Sequence, residues 1–151
     1  MKIAIGNDHA AVDLKQHVSE HLQAQGFEVV NFGTDTADSC DYPIYAEKVA
    51  KAVVSGECDR GILICGTGIG ISIAANKVHG VRCAVCSEPC SAVLTRKHND
   101  ANILAMGARI IGPELAESIV DAFLSTPFSG CERHLRRIDL ISTLEQKQTI
   151  E

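Results

Sequence analysis

The 151 residues suit one domain, 1–151, and a 46% hydrophobic content is ample for a full core. A net charge of −5 argues against nucleic-acid binding, so a site for an acidic ligand must gather its positive charge locally. No stretch resembles a signal peptide or approaches the roughly 18 apolar residues of a membrane span, and seven cysteines, an odd number, point to free thiols; a cytoplasmic protein with no membrane partner is expected.

Residues 2–6 make a short β-like run that stops at Asn7-Asp8-His9, and Ala11, Leu14, Val18 and Leu22 then mark an amphipathic helix ending near Gly26. Residues 27–31 form a second strand, followed by turn residues 33–40, a loop long enough to line a site. Asp41-Tyr42-Pro43 opens a second helix that runs to Gly56, with Pro43 suited to its first turn. Residues 60–64 are a buried strand leading into Cys65-Gly66-Thr67-Gly68-Ile69-Gly70, and a helix over 71–77 leads out. A fourth strand is expected over 81–86, a helix over 88–97, and a fifth strand from 101 to 105 that continues through Arg109 to Gly112. Pro113 opens another helix, and a last helix runs from about Cys131 to the end.

With few aromatics, the core must be built from Ala, Val, Ile and Leu, which favours a parallel sheet wrapped in helices. The alternation predicts right-handed βαβ units and a doubly wound, five-stranded parallel sheet in a three-layer α/β/α arrangement. Ligands of such sheets bind at the carboxyl ends of strands near a topological switch point. Asp8-His9 and the Cys65–Gly70 turn follow strands and fit that rule. His98-Asn99 precedes its strand, and reaches the same edge only if the helix before it ends there.

The glycine turn is not a dinucleotide fingerprint, because position 71 is Ile, and no Gly-Lys-Ser/Thr of a phosphate loop follows. Three alternating glycines allow positive φ angles and inward-facing N–H groups beside a helix start, which makes an anion or oxyanion pocket; a purely structural turn is the competing reading. Cys65 is correspondingly either an ordinary buried cysteine or a reactive thiol over that pocket. Cys83, Cys86 and Cys90 have a metal-like look with His79 upstream, but residues three apart on a strand face opposite sides of the sheet, so core thiols and no metal are expected. Asp8 can simply cap the first helix, and His98 can simply favour the end of another. His17 and His21 read as solvated surface. In the last helix Arg133 and Arg137 share a face at i, i+4 spacing, which lets two guanidinium groups converge on one phosphate, and Arg109 is a third candidate.

Asn7-Asp8-His9-Ala10-Ala11, Asp41-Tyr42-Pro43, the run from Ile64 through Cys65-Gly66-Thr67-Gly68-Ile69-Gly70 to Ala74-Ala75-Asn76-Lys77, Cys86-Ser87-Glu88-Pro89 and His98-Asn99-Asp100-Ala101-Asn102 together closely resemble the ribose-5-phosphate isomerase B family, which also holds galactose-6-phosphate isomerase subunits. The resemblance runs from Ile3 to about Glu145. It implies a Rossmann-like sheet, a homodimer or dimer of dimers with sites between subunits and a C-terminal helix reaching the partner, and a sugar-phosphate isomerase without cofactor or metal. It further implies Cys65 as the base at C1 and C2, His98 as the ring-opening acid/base, Asp8 beside the sugar hydroxyls, and Thr67 relaying a proton between O1 and O2. Tyr42, Asn99 and the turn residues Gly66, Gly68, Ile69 and Gly70 look like substrate contacts, and His9, Arg109, Arg133 and Arg137 look like the phosphate's partners. A six-carbon sugar phosphate (allose or galactose 6-phosphate) and a non-catalytic sugar-phosphate-binding module are the alternatives to ribose 5-phosphate. A Cys–His hydrolase is disfavoured, because no carboxylate pattern orients His98.

Overall fold

A computed structural model describes residues 1–148. In chain order the elements are β1 (Lys2–Asn7), a 3₁₀ turn (His9–Ala11), α1 (Val12–Ala24), β2 (Glu28–Asn31), α2 (Tyr42–Val54), β3 (Arg60–Cys65), α3 (Ile69–Ala75), β4 (Cys83–Val85), α4 (Pro89–Asn99), β5 (Ile103–Gly107), α5 (Pro113–Ser125) and α6 (Glu132–Gln148). The expected end of the last helix, 149–151, lies outside the described residues. All five strands are parallel, in the order β2-β1-β3-β5-β4.

The three central strands are near-continuous apolar runs because both of their faces are covered. Alternate residues serve opposite layers. Ile3, Ile5, Ile62, Ile64, Leu104 and Met106 pack with Val18, Leu22, Ala92, Ile119 and Phe123 under α1, α4 and α5. Ala4, Leu63, Cys65, Ile103 and Ala105 pack with Val49, Ala50, Val53 and Ile71 under α2 and α3. Cys83 and Cys86 fall on opposite sides of the sheet as their spacing requires, and burial holds the Cys83 thiol high and pushes Cys86 up to about 11.

Four expectations change. The fourth strand keeps only three residues of 81–86; before it, Asn76 takes the place of a strand neighbour, its amide accepting from the Cys83 N–H at 2.8 Å and donating to the Cys83 carbonyl at 2.9 Å. The fifth strand stops at Gly107 instead of running to Gly112, because Ala108 donates to the Cys65 carbonyl at 2.8 Å, and Ile110 and Ile111 turn back onto the Gly107 carbonyl. Helix α3 begins at Ile69, two residues early. His17 and His21 are only partly exposed and are not free in solvent: they meet Glu117 and Asp121 across the α1–α5 contact, each at 2.8 Å.

The chain moves from β1 out to β2 and returns on the other side of β1 to form β3, so the topological switch lies between β1 and β3. The ends of those strands carry Asp8 and Cys65.

Candidate active site

At the carboxyl edge of the sheet the site is made mostly of backbone. Asn7 is level with Ile64 and Cys65 with Gly107, so β1, β3 and β5 end side by side. Asp8 is 6% exposed; its N–H donates to the Ile64 carbonyl at 3.2 Å, and its Oδ1 accepts from Ala10 N–H at 3.0 Å, which caps the 3₁₀ turn holding His9. The N–H of Gly68 donates to Cys65 Sγ at 3.1 Å, and the Ile69 N–H donates to Thr67 Oγ1 at 3.3 Å. Cys65 is buried at 4% exposure, whereas Thr67 is exposed above it.

The three glycines of the turn are not equivalent. Of these, only Gly68 has a positive φ, +78°, and a Cβ there would also stand 2.7 Å from the Met106 carbonyl carbon. At Gly66 the Arg109 guanidinium lies against the turn, its Cζ 3.4 Å from where a Cβ would be, an ordinary contact that does not itself require glycine. Gly70 lets the Tyr42 ring pack onto the first turn of α3, its Cζ 2.6 Å from the corresponding point. The Arg109 N–H donates to the Gly66 carbonyl at 2.9 Å. Asp8, Tyr42, Cys65 to Gly70 and Arg109 are thus brought to one edge, with His9 in the turn beside them.

His98 and Asn99 are elsewhere. They form the last turn of α4, which ends four positions before Ile103, the residue level with Gly61 at the start of β3. The helix therefore ends at the amino edge, separated from Cys65 by four strand steps, about 13 Å of sheet. Asp100 caps this helix in the left-handed region, at φ 45°, and the buried Arg96 holds the turn by donating to Asp100 Oδ1 at 2.7 Å and to the Ala101 carbonyl at 2.6 Å. Helix α6 starts beside it: the rings of His98 and His134 are 4.5 Å apart, His134 Nδ1 lies 2.7 Å from Ser129 Oγ, and the Ser129 N–H donates to the Lys97 carbonyl at 3.2 Å. Burial, reinforced by Arg133, His98 and Arg137, holds His134 below the ordinary imidazole range. Arg133, Arg136 and Arg137 are exposed on the same helix. One chain thus presents two separate clusters at opposite edges of the sheet, and the condition under which His98 would reach the carboxyl edge is not met.

The family model for ribose/galactose isomerases matches residues 3–141. The chain belongs to that family. It is 53% identical to ribose-5-phosphate isomerase B of Escherichia coli over 97% of this chain and 98% of that protein. A solved ribose-5-phosphate isomerase B from Clostridium thermocellum superposes with a TM-score of 0.96 at 53% identity, covering 98% of this chain and 99% of the other. D-erythrulose-4-phosphate isomerase of Pectobacterium atrosepticum is 47% identical over 86% of each chain. The fold is accordingly that of the family, and the chain is an isomerase.

The carboxyl-edge half of this isomerase offers a fixed thiol, a carboxylate, a hydroxyl and a guanidinium around a helix start; the amino-edge half offers an imidazole and a run of arginines. The first suits proton transfer beside a developing oxyanion and the second suits a phosphate and a hydroxyl proton. Asn7 entered the sequence reading only as part of the Asn7–Ala11 motif, with no role of its own, and Cys40 and His134 carry no periodic or motif signal; the structure shows Asn7 buried beside Asp8, the Cys40 N–H on the His9 ring, and His134 buried against His98.

Proposed function

We propose that the protein interconverts D-ribose 5-phosphate and D-ribulose 5-phosphate, a cytoplasmic reaction, through an enediolate. The observation that carries the reading is the Cys65 sulfur, held by the Gly68 N–H at the end of β3 within a glycine turn at the switch point. In the aldose-to-ketose direction Cys65 takes the proton from C2 and returns it to C1, while Thr67 relays the hydroxyl proton from O2 to O1. The amide bond to sulfur strengthens as the thiol loses its proton, and N–H groups at the start of α3 face the charge that develops on the enediolate oxygens. Asp8, Tyr42 and Asn99 bind the sugar.

His98 opens the furanose ring, moving a proton from the anomeric hydroxyl to the ring oxygen. Because it lies at the opposite edge from Cys65 in its own chain, it acts on the site of a second copy, and Arg133 and Arg137 travel with it on α6. His9 and Arg109 hold the same phosphate from the Cys65 side. A homodimer with two composite sites follows, and exposed Ile69 and Ile110 at the carboxyl edge and Leu140 and Leu144 on α6 supply apolar surface for it. Held remotely, the phosphate contributes binding energy that orients the reacting carbons.

The test is to assay purified protein with ribose 5-phosphate, following ketose appearance, against four- and six-carbon aldose phosphates. Turnover highest with ribose 5-phosphate and a fall of about 10²–10⁴-fold in kcat for Cys65→Ala are expected. Faster turnover of another chain length would reassign the substrate, and unchanged kcat in Cys65→Ala would remove the thiol from the chemistry.

A further inference from the structure

The loop between β2 and α2 carries neither helix nor strand, yet β1, the turn after it and α1 tie it down at three points. The first is Asn7, fully buried at the end of β1. Its Nδ2 donates to the Thr34 carbonyl at 3.1 Å and to the Asp8 carbonyl at 2.9 Å, and its own carbonyl accepts from Thr34 N–H at 3.4 Å. Among the described residues Asn7 Oδ1 has no hydrogen-bond partner, and it faces Gly33 so closely that a Cβ there would stand 1.9 Å away. Only a glycine hydrogen fits that gap, as a weak C–H donor to the oxygen.

The second point is Lys15, 2% exposed on α1, which pairs with Asp35; Lys15 and Asn31 together hold the Asp35 carboxyl below its usual range. The third is His9. The backbone N–H of Cys40 donates to His9 Nδ1 at 3.3 Å, and Cys40 Sγ lies 3.7 Å from the same nitrogen. An amide N–H can only donate, so Nδ1 must be a bare acceptor and the ring proton must sit on Nε2. No described residue hydrogen-bonds to Nε2, which leaves that N–H available to a ligand.

We propose that the 33–41 loop sets the tautomer of His9: latched by Asn7 and by the Lys15–Asp35 pair, it places the Cys40 N–H on Nδ1 so that Nε2–H points a neutral donor at the substrate's phosphate. The inference rests on the reading of His9 as a phosphate partner. Asn7 and Lys15, and Cys40 through its backbone, are positioning residues. The arrangement matters because the other tautomer would turn a lone pair toward the phosphate, and a doubly protonated ring would lose the Cys40 bond that orients it.

The experiment is nitrogen-15 NMR of the His9 ring at about pH 8, above the ordinary imidazole range, with and without ribose 5-phosphate, alongside steady-state kinetics of Asn7→Ala and Lys15→Met. Wild type should show a bare Nδ1 and a protonated Nε2, with the Nε2 signal moving on ligand addition. Both variants should populate the other tautomer and raise KM by about 2–10-fold, the value of one or two hydrogen bonds, with kcat nearly constant. Lys15→Met keeps the test open if Asn7→Ala fails to fold, since it removes an ion pair without opening the end of β1. A protonated Nδ1 in wild type, or variants that leave both tautomer and KM unchanged, would overturn the proposal. Failure of the underlying reading gives a different result: His9→Ala would leave KM for ribose 5-phosphate unaltered while the tautomer still responded to Asn7→Ala and Lys15→Met.

Discussion

The two edges of the sheet hold their chemistry in opposite ways. At the carboxyl edge the groups are short, buried or pinned: Cys65 sits on a backbone N–H, Asp8 caps its own turn, Gly70 lets Tyr42 press against the turn that carries the thiol, and the Arg109 N–H bonds to that turn's Gly66 carbonyl. At the amino edge the groups are long or exposed, His98 and the three arginines projecting from helix ends, with His134 and Arg96 buried behind them. The first half is preformed by one chain. The second is a set of exposed side chains, and that exposure supports the proposal that they contribute to another copy's site.

The largest test of that division is complementation. Cys65→Ala and His98→Ala should each lose about 10²–10⁴-fold in kcat. Mixed, dissociated and reassociated, the two inactive proteins should recover about a quarter of wild-type activity, because about half the dimers are hybrids and each hybrid has one intact site. No recovery would place both residues in the site of a single chain.

Next in size is the backbone of the preformed half. Gly68→Ala forces a side chain into the left-handed region and against the Met106 carbonyl, and should lower unfolding free energy by about 2–4 kcal/mol in denaturant titration. A loss under 1 kcal/mol would mean that the turn relaxes and is not rigid. Smaller still, Arg137→Ala should raise KM about 10-fold with kcat within a factor of two, since a phosphate contact made equally in ground and transition states contributes only to binding. An unaltered KM would take Arg137 out of the site.

The mildest effect concerns His134. Its native imidazole is held below the ordinary value of 6.5, so on acidification the unfolded chain takes up the proton first. The stability it contributes is complete above about pH 6.5 and is lost as pH falls through that value toward the lower native one. Thermal unfolding of His134→Gln should therefore depend less on pH than wild type below 6.5, with the two profiles parallel above it. Parallel profiles throughout would show that the fold does not hold His134 neutral.

Much of this was legible in the chain. Local rules placed β1 and β3 as apolar runs, located the α2 start by Pro43, and made the Cys65–Gly70 turn a candidate because alternating glycines before a helix can turn N–H groups inward, with a purely structural turn as the competing reading. They also separated Cys83 from Cys86, since strand periodicity alone sends residues three apart to opposite faces. Where the reading failed, a distant partner decided the outcome: β5 ends at Gly107 because Ala108 and Arg109 hydrogen-bond to Cys65 and Gly66, residues more than forty positions earlier. His17 and His21 became hydrogen-bond partners of Glu117 and Asp121 because α5 lies against α1, which no spacing within α1 announces.

The sequence by itself determined the parallel α/β architecture and the family, and it named the candidate residues of both clusters, because periodicity, turn chemistry and motifs are properties of neighbouring residues. Only the tertiary structure decided that β5 inserts between β3 and β4, putting Arg109 beside Gly66, that α4 ends at the edge away from Cys65, and that the Cys40 N–H reaches the His9 ring. Those three facts depend on strand order and loop path, which are set by packing across the whole sheet.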